Sequence, residues 1–311
     1  MTSGHVTRGQ PTSGLTERVQ RRLVDAGYGL GWGLTKRLPE AVAQAGFERL
    51  ADQIWRRRGT GVRRLQANLR RVTPEAGAAE LDDLSRAAMR SYLRYWCESF
   101  RLPVWSREQV LEGIVVHDEG ILRDAYAAGR GVVIPLPHLA NWDLAGAWAC
   151  LTGMPLTTVA ERLEPERLFR RFVEYRESLG MEVLPLTGGD GSSLRTLISR
   201  VRQGRLVCLV ADRDLSTSGV EVSLLAAAAR MPSGPAAIAR ATGAALIPAT
   251  LAYDGPRLAI TFHQPVVPVA GPDGVRAMTQ SVADVFSQGI RAHPQDWHML
   301  QKVFVDDLDS R

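Results

Sequence analysis

The chain has 311 residues, 45% of them hydrophobic and 23% charged, with a formal net charge of +5. That is enough apolar sequence to bury a full core. Residues 1–20 lack the apolar run of a secretory signal, so none is expected. Cys97, Cys150 and Cys208 are odd in number and far apart, which fits neither a disulfide framework nor a zinc site and suits a reducing compartment. The longest uncharged run, Leu144–Ala160, is broken by Gly153 and Pro155, and no membrane-spanning helix is expected.

Charge is unevenly placed. Residues 1–71 hold 14 Lys+Arg against 5 Asp+Glu, whereas the remainder holds 24 against 28. A basic arm on a mildly acidic body implies an anionic partner, either a membrane surface or nucleic acid.

Residues 1–14 are rich in Gly, Ser and Thr and read as a disordered tail. Residues 15–112 read as a helical arm packed on the body, with breaks at 27–33, 59–61 and 74–77. Phe47, Leu50, Ala51 and Ile54 form one apolar stripe; Val62, Leu65, Leu69 and Val72 form the next, with Arg63, Arg64, Arg70 and Arg71 opposite. A third helical stretch carries Tyr92, Tyr95, Trp96 and Phe100. Such stripes suit packing onto the body, and the arginine face left over suits anionic headgroups. The aromatics follow a helical pattern without the strand-borne stacking surface of single-strand binders, so no nucleic acid is expected.

Residues 113–305 alternate strand and helix. Candidate strands are Val132–Leu136, Leu156–Ala160, Val183–Leu186, Leu206–Ala211, Ala245–Leu251 and Leu258–Phe262, with helices at Leu168–Leu179 and Leu194–Gln203. The pattern predicts an α/β fold: a mainly parallel central sheet covered by helices, with the amphipathic helical arm at its N-terminal side. Ligands of such sheets bind beyond the strands' carboxyl ends. Three strands run there into polar residues: His138, then Glu161-Arg162, then Asp212-Arg213-Asp214.

The segment Pro137-His138-Leu139-Ala140-Asn141-Trp142-Asp143 places a histidine at a strand end and an aspartate in the first turn of the next helix. From there the carboxylate is expected to fold back on the imidazole and orient it as a base for a hydroxyl nucleophile. A Walker-type phosphate loop, a dinucleotide fingerprint, a Gly-x-Ser-x-Gly elbow and metal-ligand spacing are all missing from the sequence. Acyl transfer from a thioester to an alcohol remains.

His138-x4-Asp143 resembles the signature of the glycerolipid and lipid A acyltransferase superfamily. Within it the chain is most similar to actinobacterial phosphatidylinositol mannoside acyltransferases, through Val159–Leu163, Arg171–Gly180, Val183–Gly189, Arg213–Leu215, Arg230–Pro235 and Asp296–Gln301. The resemblance implies a peripheral enzyme on the cytoplasmic face of the cell membrane. It would move a palmitoyl group from acyl-CoA to the 6-hydroxyl of a mannose on phosphatidylinositol mono- or dimannoside, as a monomer, with acyl-CoA as co-substrate and no cofactor or metal. His138 would be the general base and Asp143 its orienter. Asp212 stands where the family usually has a glutamate near the catalytic histidine, one methylene shorter here, with an ion pair to Arg213 as the alternative. Glu161, Arg162 and Arg176 would face sugar, inositol or phosphate, although Arg176 also suits a solvated helix face. Ser218 and the Gly234 turn between Pro232 and Pro235 would approach the acyl-CoA, with a backbone N–H near that turn as a candidate oxyanion donor. His298 would close the headgroup side, or else simply pack beside Trp297.

Two departures from the family stand out: Leu224-Leu225-Ala226-Ala227 replaces an aromatic pair and glycine, which would reshape the acyl groove, and Leu139 is larger than usual. An apolar groove running from His138 is expected. The alternative function is acylation of another membrane glycolipid or glycerophosphate, from acyl-CoA or acyl carrier protein.

Overall fold

The computed structural model describes residues 33–161, 166–185, 192–214 and 219–309. The tail at 1–14 and residues 15–32 of the helical arm lie outside these residues. Three long helices come first: α1 (Glu40–Arg56), α2 (Thr60–Val72) and α3 (Ala78–Arg101), then the short α4 (Arg107–Glu112). The stripe Val62, Leu65, Leu69 and Val72 of α2 is buried, as its spacing requires. In α1 three of the four stripe residues face the core, Phe47 and Ile54 partly buried against it, and Leu50 departs. Ala51 is buried and Leu50 is exposed, because α1 is pinned to α3 by a charge cluster: Asp52 accepts paired hydrogen bonds from both Arg86 and Arg90. The arginine face is also less free than expected. Arg58 pairs with Asp82, and Arg64 and Arg71 pair with Asp307 near the end of the chain.

The α/β part runs β1 (Ile114–His117), α5 (Glu119–Ala127), β2 (Val132–Leu136), α6 (Trp142–Leu151), β3 (Leu156–Ala160), α7 (Glu166–Ser178), β4 (Glu182–Pro185), α8 (Ser192–Arg202), β5 (Leu206–Val210), β6 (Val220–Leu224), β7 (Ala227–Met231), α9 (Gly234–Thr242), β8 (Ala245–Leu246), β9 (Ala249–Asp254), β10 (Arg257–Phe262), α10 (Gly274–Ala292) and α11 (Val305–Asp309). Five strands form an all-parallel sheet in the order β4-β3-β5-β2-β8. Continuous apolar runs such as Val132–Leu136, buried throughout, occupy its centre because helices cover both faces. Pro135 is tolerated in this central strand. Residues 132 and 136 bond toward β5 while 133 bonds toward Ile247, so position 135 faces the side where the two-residue β8 has already ended.

The single strand expected over Ala245–Leu251 is in fact two. Pro248, without an N–H, breaks it, and β8 and β9 join different sheets. β9 forms an antiparallel hairpin with β10, and β10 pairs in parallel with β1, a strand the periodicity did not reveal. The sequence reading also missed the hairpin of β6 and β7. Its two-residue turn, Leu225-Ala226, holds both residues at positive φ (55° and 66°), the geometry of a type I′ turn. The departure at residues 224–227 is therefore this turn. It is packed on α10 through the Leu225 N–H, which donates to Ser287 Oγ, and none of the four residues lines the apolar cavity described below. No helix among the described residues is long and apolar enough to cross a membrane.

Candidate active site

β2 and β5 are neighbours in parallel register, Leu136 opposite Val210. Two residues further on, the chain places His138 level with Asp212. His138 Nδ1 lies 2.5 Å from Asp212 Oδ1, and the His138 backbone N–H donates to Oδ2 at 3.0 Å. Asp212 is fully buried, whereas the His138 side chain is 26% exposed. A carboxylate only accepts, so Nδ1 carries the proton, and in the neutral imidazole the lone pair is on Nε2. Burial favours the neutral form of Asp212. The facing imidazole and the donated hydrogen bonds outweigh it and hold the carboxyl below the usual carboxylate range.

The turn after β2 is held from outside. Ala140 adopts φ 47°, and its N–H donates to the Asp296 carbonyl, while the His298 N–H donates to the His138 carbonyl. The strip Asp296-Trp297-His298 thus lies along the histidine turn, and the Trp297 indole N–H reaches Asp212 Oδ2 at 2.9 Å.

Asp143 is directed elsewhere. It accepts from Arg176 Nε at 2.6 Å and from the Tyr95 hydroxyl at 3.0 Å; no hydrogen bond among the described residues joins it to His138. The expectation that Asp143 folds back onto the imidazole is corrected here, and so is the doubt that Asp212 is too short to reach it. The reason is helical phase. Asn141 caps α6 through the Leu144 N–H, so Trp142 and Asp143 open the helix about 100° apart around its axis. Trp142 takes the direction of His138, with ring centroids 5.3 Å apart, and stacks on Tyr95 at 4.2 Å. Asp143 therefore points into a second network. Burial disfavours the charge of Arg176, but Asp143 outweighs it and keeps the guanidinium firmly protonated. Arg176 is accordingly a half-buried partner of Asp143 rather than a solvated helix residue.

The remaining expected residues divide. Glu161 is half-exposed and pairs with Arg213 at 3.0 Å, so Arg213 is engaged there and not with Asp212. Arg162 and Ser218 lie outside the described residues. Gly234 opens α9, where an added Cβ would meet nothing within 4 Å, and no described contact joins it to His138. His298 is buried. Its Nε2 lies 2.9 Å from Ser91 Oγ, which donates to Asp296 Oδ1 at 2.7 Å, and Asp296 Oδ2 accepts from the Tyr253 N–H. Burial, with His138 nearby, pushes the His298 imidazole down to about 3, so it is neutral at ordinary pH.

Behind Trp142 and Asp143 an apolar cavity of about 80 Å³ runs into the interior between α6 and the sheets. Ile134, Leu136, Cys208 and Val210 form its sheet wall, with Trp148, Leu251 and Phe262 deeper in. It begins at Trp142 and Asp143 rather than at His138 itself. The sequence reading missed Trp297, Tyr95 and Ser91 as parts of the site. Trp297 stands in the segment Asp296–Gln301 and Tyr95 in the aromatic run of α3, but only tertiary folding brings them to residues 138–143.

Taken together these groups offer an oriented imidazole base beside an apolar cavity. The model of the bacterial lipid A biosynthesis acyltransferase family matches residues 17–305. The chain belongs to that family. It is an acyltransferase. Among the relatives of this acyltransferase are two named phosphatidylinositol mannoside acyltransferase. One, from Mycolicibacterium smegmatis, is 46% identical over 93% of this chain and 94% of its own length; the other, from Mycobacterium tuberculosis, is 44% identical over 94% and 92%.

Proposed function

We propose that this acyltransferase moves a palmitoyl group from acyl-CoA to the 6-hydroxyl of the mannose of a phosphatidylinositol mannoside, working as a peripheral protein on the cytoplasmic face of the cell membrane. The observation that carries the mechanism is the contact of His138 Nδ1 with buried Asp212. With Nδ1–H donated to the carboxylate, Nε2 takes the proton of the mannose hydroxyl as its oxygen attacks the thioester carbonyl. The C–O bond forms, the C–S bond breaks as the tetrahedral adduct collapses, and the thiolate leaves and takes up the proton from His138. Asp212 stabilises the imidazolium between these steps. The acceptor is supported by the name that both relatives carry.

The cavity behind Trp142 supports an acyl chain as the transferred group. Burying the fifteen-carbon tail of a palmitoyl group represents about 12 kcal/mol at ~0.8 kcal/mol per methylene. A volume of about 80 Å³ is smaller than the ~150 Å³ cavity that admits benzene, so the chain enters by displacing flexible lining such as Met181, which packs on Gly146. Basic residues of α1 and α2 not engaged by carboxylates are suited to an anionic bilayer.

The test is turnover. Purified protein with palmitoyl-CoA and the mannolipid in vesicles should release free thiol and a product heavier by one palmitoyl group. Replacing the donor with palmitoyl carrier protein, or the acceptor with lysophosphatidate, separates the competing acylations. His138→Ala should fall to background, and an active alanine variant would defeat the mechanism.

A further inference from the structure

The Asp212 carboxylate has a third donor that the general-base scheme does not require. Trp297 is fully buried, and its indole N–H lies 2.9 Å from Asp212 Oδ2, while the other oxygen faces His138 Nδ1. We propose that Trp297 is a positioning residue for the transfer reaction: by occupying Oδ2 it fixes the rotation of the short Asp212 side chain so that Oδ1 is the oxygen presented to the imidazole.

A carboxylate rotates about its Cβ–Cγ bond, and an aspartate here has one methylene less with which to follow a moving ring. Two donors on Oδ2, the His138 backbone N–H and the Trp297 indole, leave Oδ1 with the single imidazole proton. An N–H bonded to an ionised carboxylate also favours the charged form, against the burial that opposes it.

Trp297 is itself held at both ends. The strip it sits in bonds to the histidine turn through Ala140 N–H to the Asp296 carbonyl and His298 N–H to the His138 carbonyl. On its far side the Asp296 carboxylate accepts from Ser91 of α3 and from the Tyr253 N–H of β9. Because the same strip grips the base by its backbone and the orienter by its side chain, it sets their separation. Charged and titratable groups around the pair come from several elements. Arg213 follows Asp212 and is bridged to Glu161; Asp143, Arg176 and Tyr95 lie across Trp142; neutral His298 and Asp296 stand on the strip.

The inference rests on the proposed role of His138, but part of its test needs no substrate. In the full-length protein, proton NMR should show a downfield imidazole resonance from the His138–Asp212 bond, assigned by its loss in His138→Ala. Trp297→Phe keeps the aromatic bulk and removes the donor, and is expected to shift or broaden that resonance. Met299→Ala is the control: Met299 is also fully buried, two residues along the strip, so the variant destabilises the fold without touching the carboxylate. It should leave the resonance in place. In turnover assays Trp297→Phe should lower kcat about tenfold, the scale of one hydrogen bond to a charged group. KM for donor and acceptor should hold, and the acid limb of the pH–rate profile should move to higher pH, because Asp212 relieved of a donor grips the imidazole proton harder.

An unchanged resonance and pH profile in Trp297→Phe, or an equal change in Met299→Ala, would overturn the inference. Should Trp297→Phe not fold, Ser91→Ala reads the same coupling by loosening the far anchor of the strip, and an unaltered resonance there overturns it equally. Failure of the wild-type protein to acylate the mannolipid would instead defeat the functional reading, and the resonance would still decide the role of Trp297.

Discussion

Removing Asp143 should act on stability through Arg176 more than on the base through His138. Asp143 is 2% and Arg176 16% exposed, with Nε 2.6 Å from Oδ1 and a second, longer contact of 3.4 Å to Oδ2. Removing one member of such a pair strands the other charge in the interior, which costs about 3–5 kcal/mol. Replacing both by apolar residues of similar size removes that penalty. Asp143→Ala is therefore expected to destabilise the protein by about 3–5 kcal/mol, and Asp143→Ala with Arg176→Met to recover most of the loss. Urea unfolding followed by tryptophan fluorescence measures all four corners of the cycle. In the same preparations Asp212→Asn should lower kcat by about 10²–10⁴, the range attributed to general-base assistance, and Asp143→Asn by much less. If the double variant is as unstable as the sum of the singles, or if Asp143→Asn loses as much kcat as Asp212→Asn, the separation of the two networks is wrong.

Three further outcomes are expected. His298 is buried neutral with its imidazole near 3, whereas the unfolded chain takes up its proton around 6.5. Stability should thus fall as pH drops below about 6.5, by about 1.4 kcal/mol per unit and about 2 kcal/mol at pH 5. His298→Gln, which keeps an N–H for Ser91, should lack that slope; parallel urea curves for the two proteins across pH 7 to 5 would contradict it. Ala226 sits at φ 66° in the β6–β7 turn, so Ala226→Gly should stabilise by about 1 kcal/mol and raise Tm by roughly 2 °C, and a lowered Tm would count against the turn. Cys208 lines the apolar cavity, and Cys208→Leu should shift donor preference toward shorter acyl chains. An unchanged chain-length profile would remove the cavity from the acyl path.

Much of this was legible along the chain. Apolar runs ending in polar residues gave β2, β3 and β5, because a strand buried on both faces leaves no other pattern. His138 was legible from its place directly after such a run. Elements whose signal is short or divided were not: β1 has four residues, β8 has two, and the β6–β7 turn has no glycine to mark it.

Sequence by itself determined that a histidine stands at the carboxyl end of a buried parallel strand, with acids after neighbouring strands and in the next helix. Only tertiary structure decided which acid meets it. Spacing along the chain favoured Asp143, five residues away. Yet the phase of α6 turns that side chain toward Tyr95 and Arg176, and the register of β2 with β5 brings Asp212, 74 residues away, level with the imidazole. Neither helix phase nor strand register can be read from local spacing. Both are fixed by how the elements pack, and so is the strip from residues 296–298 that lays Trp297 against the pair.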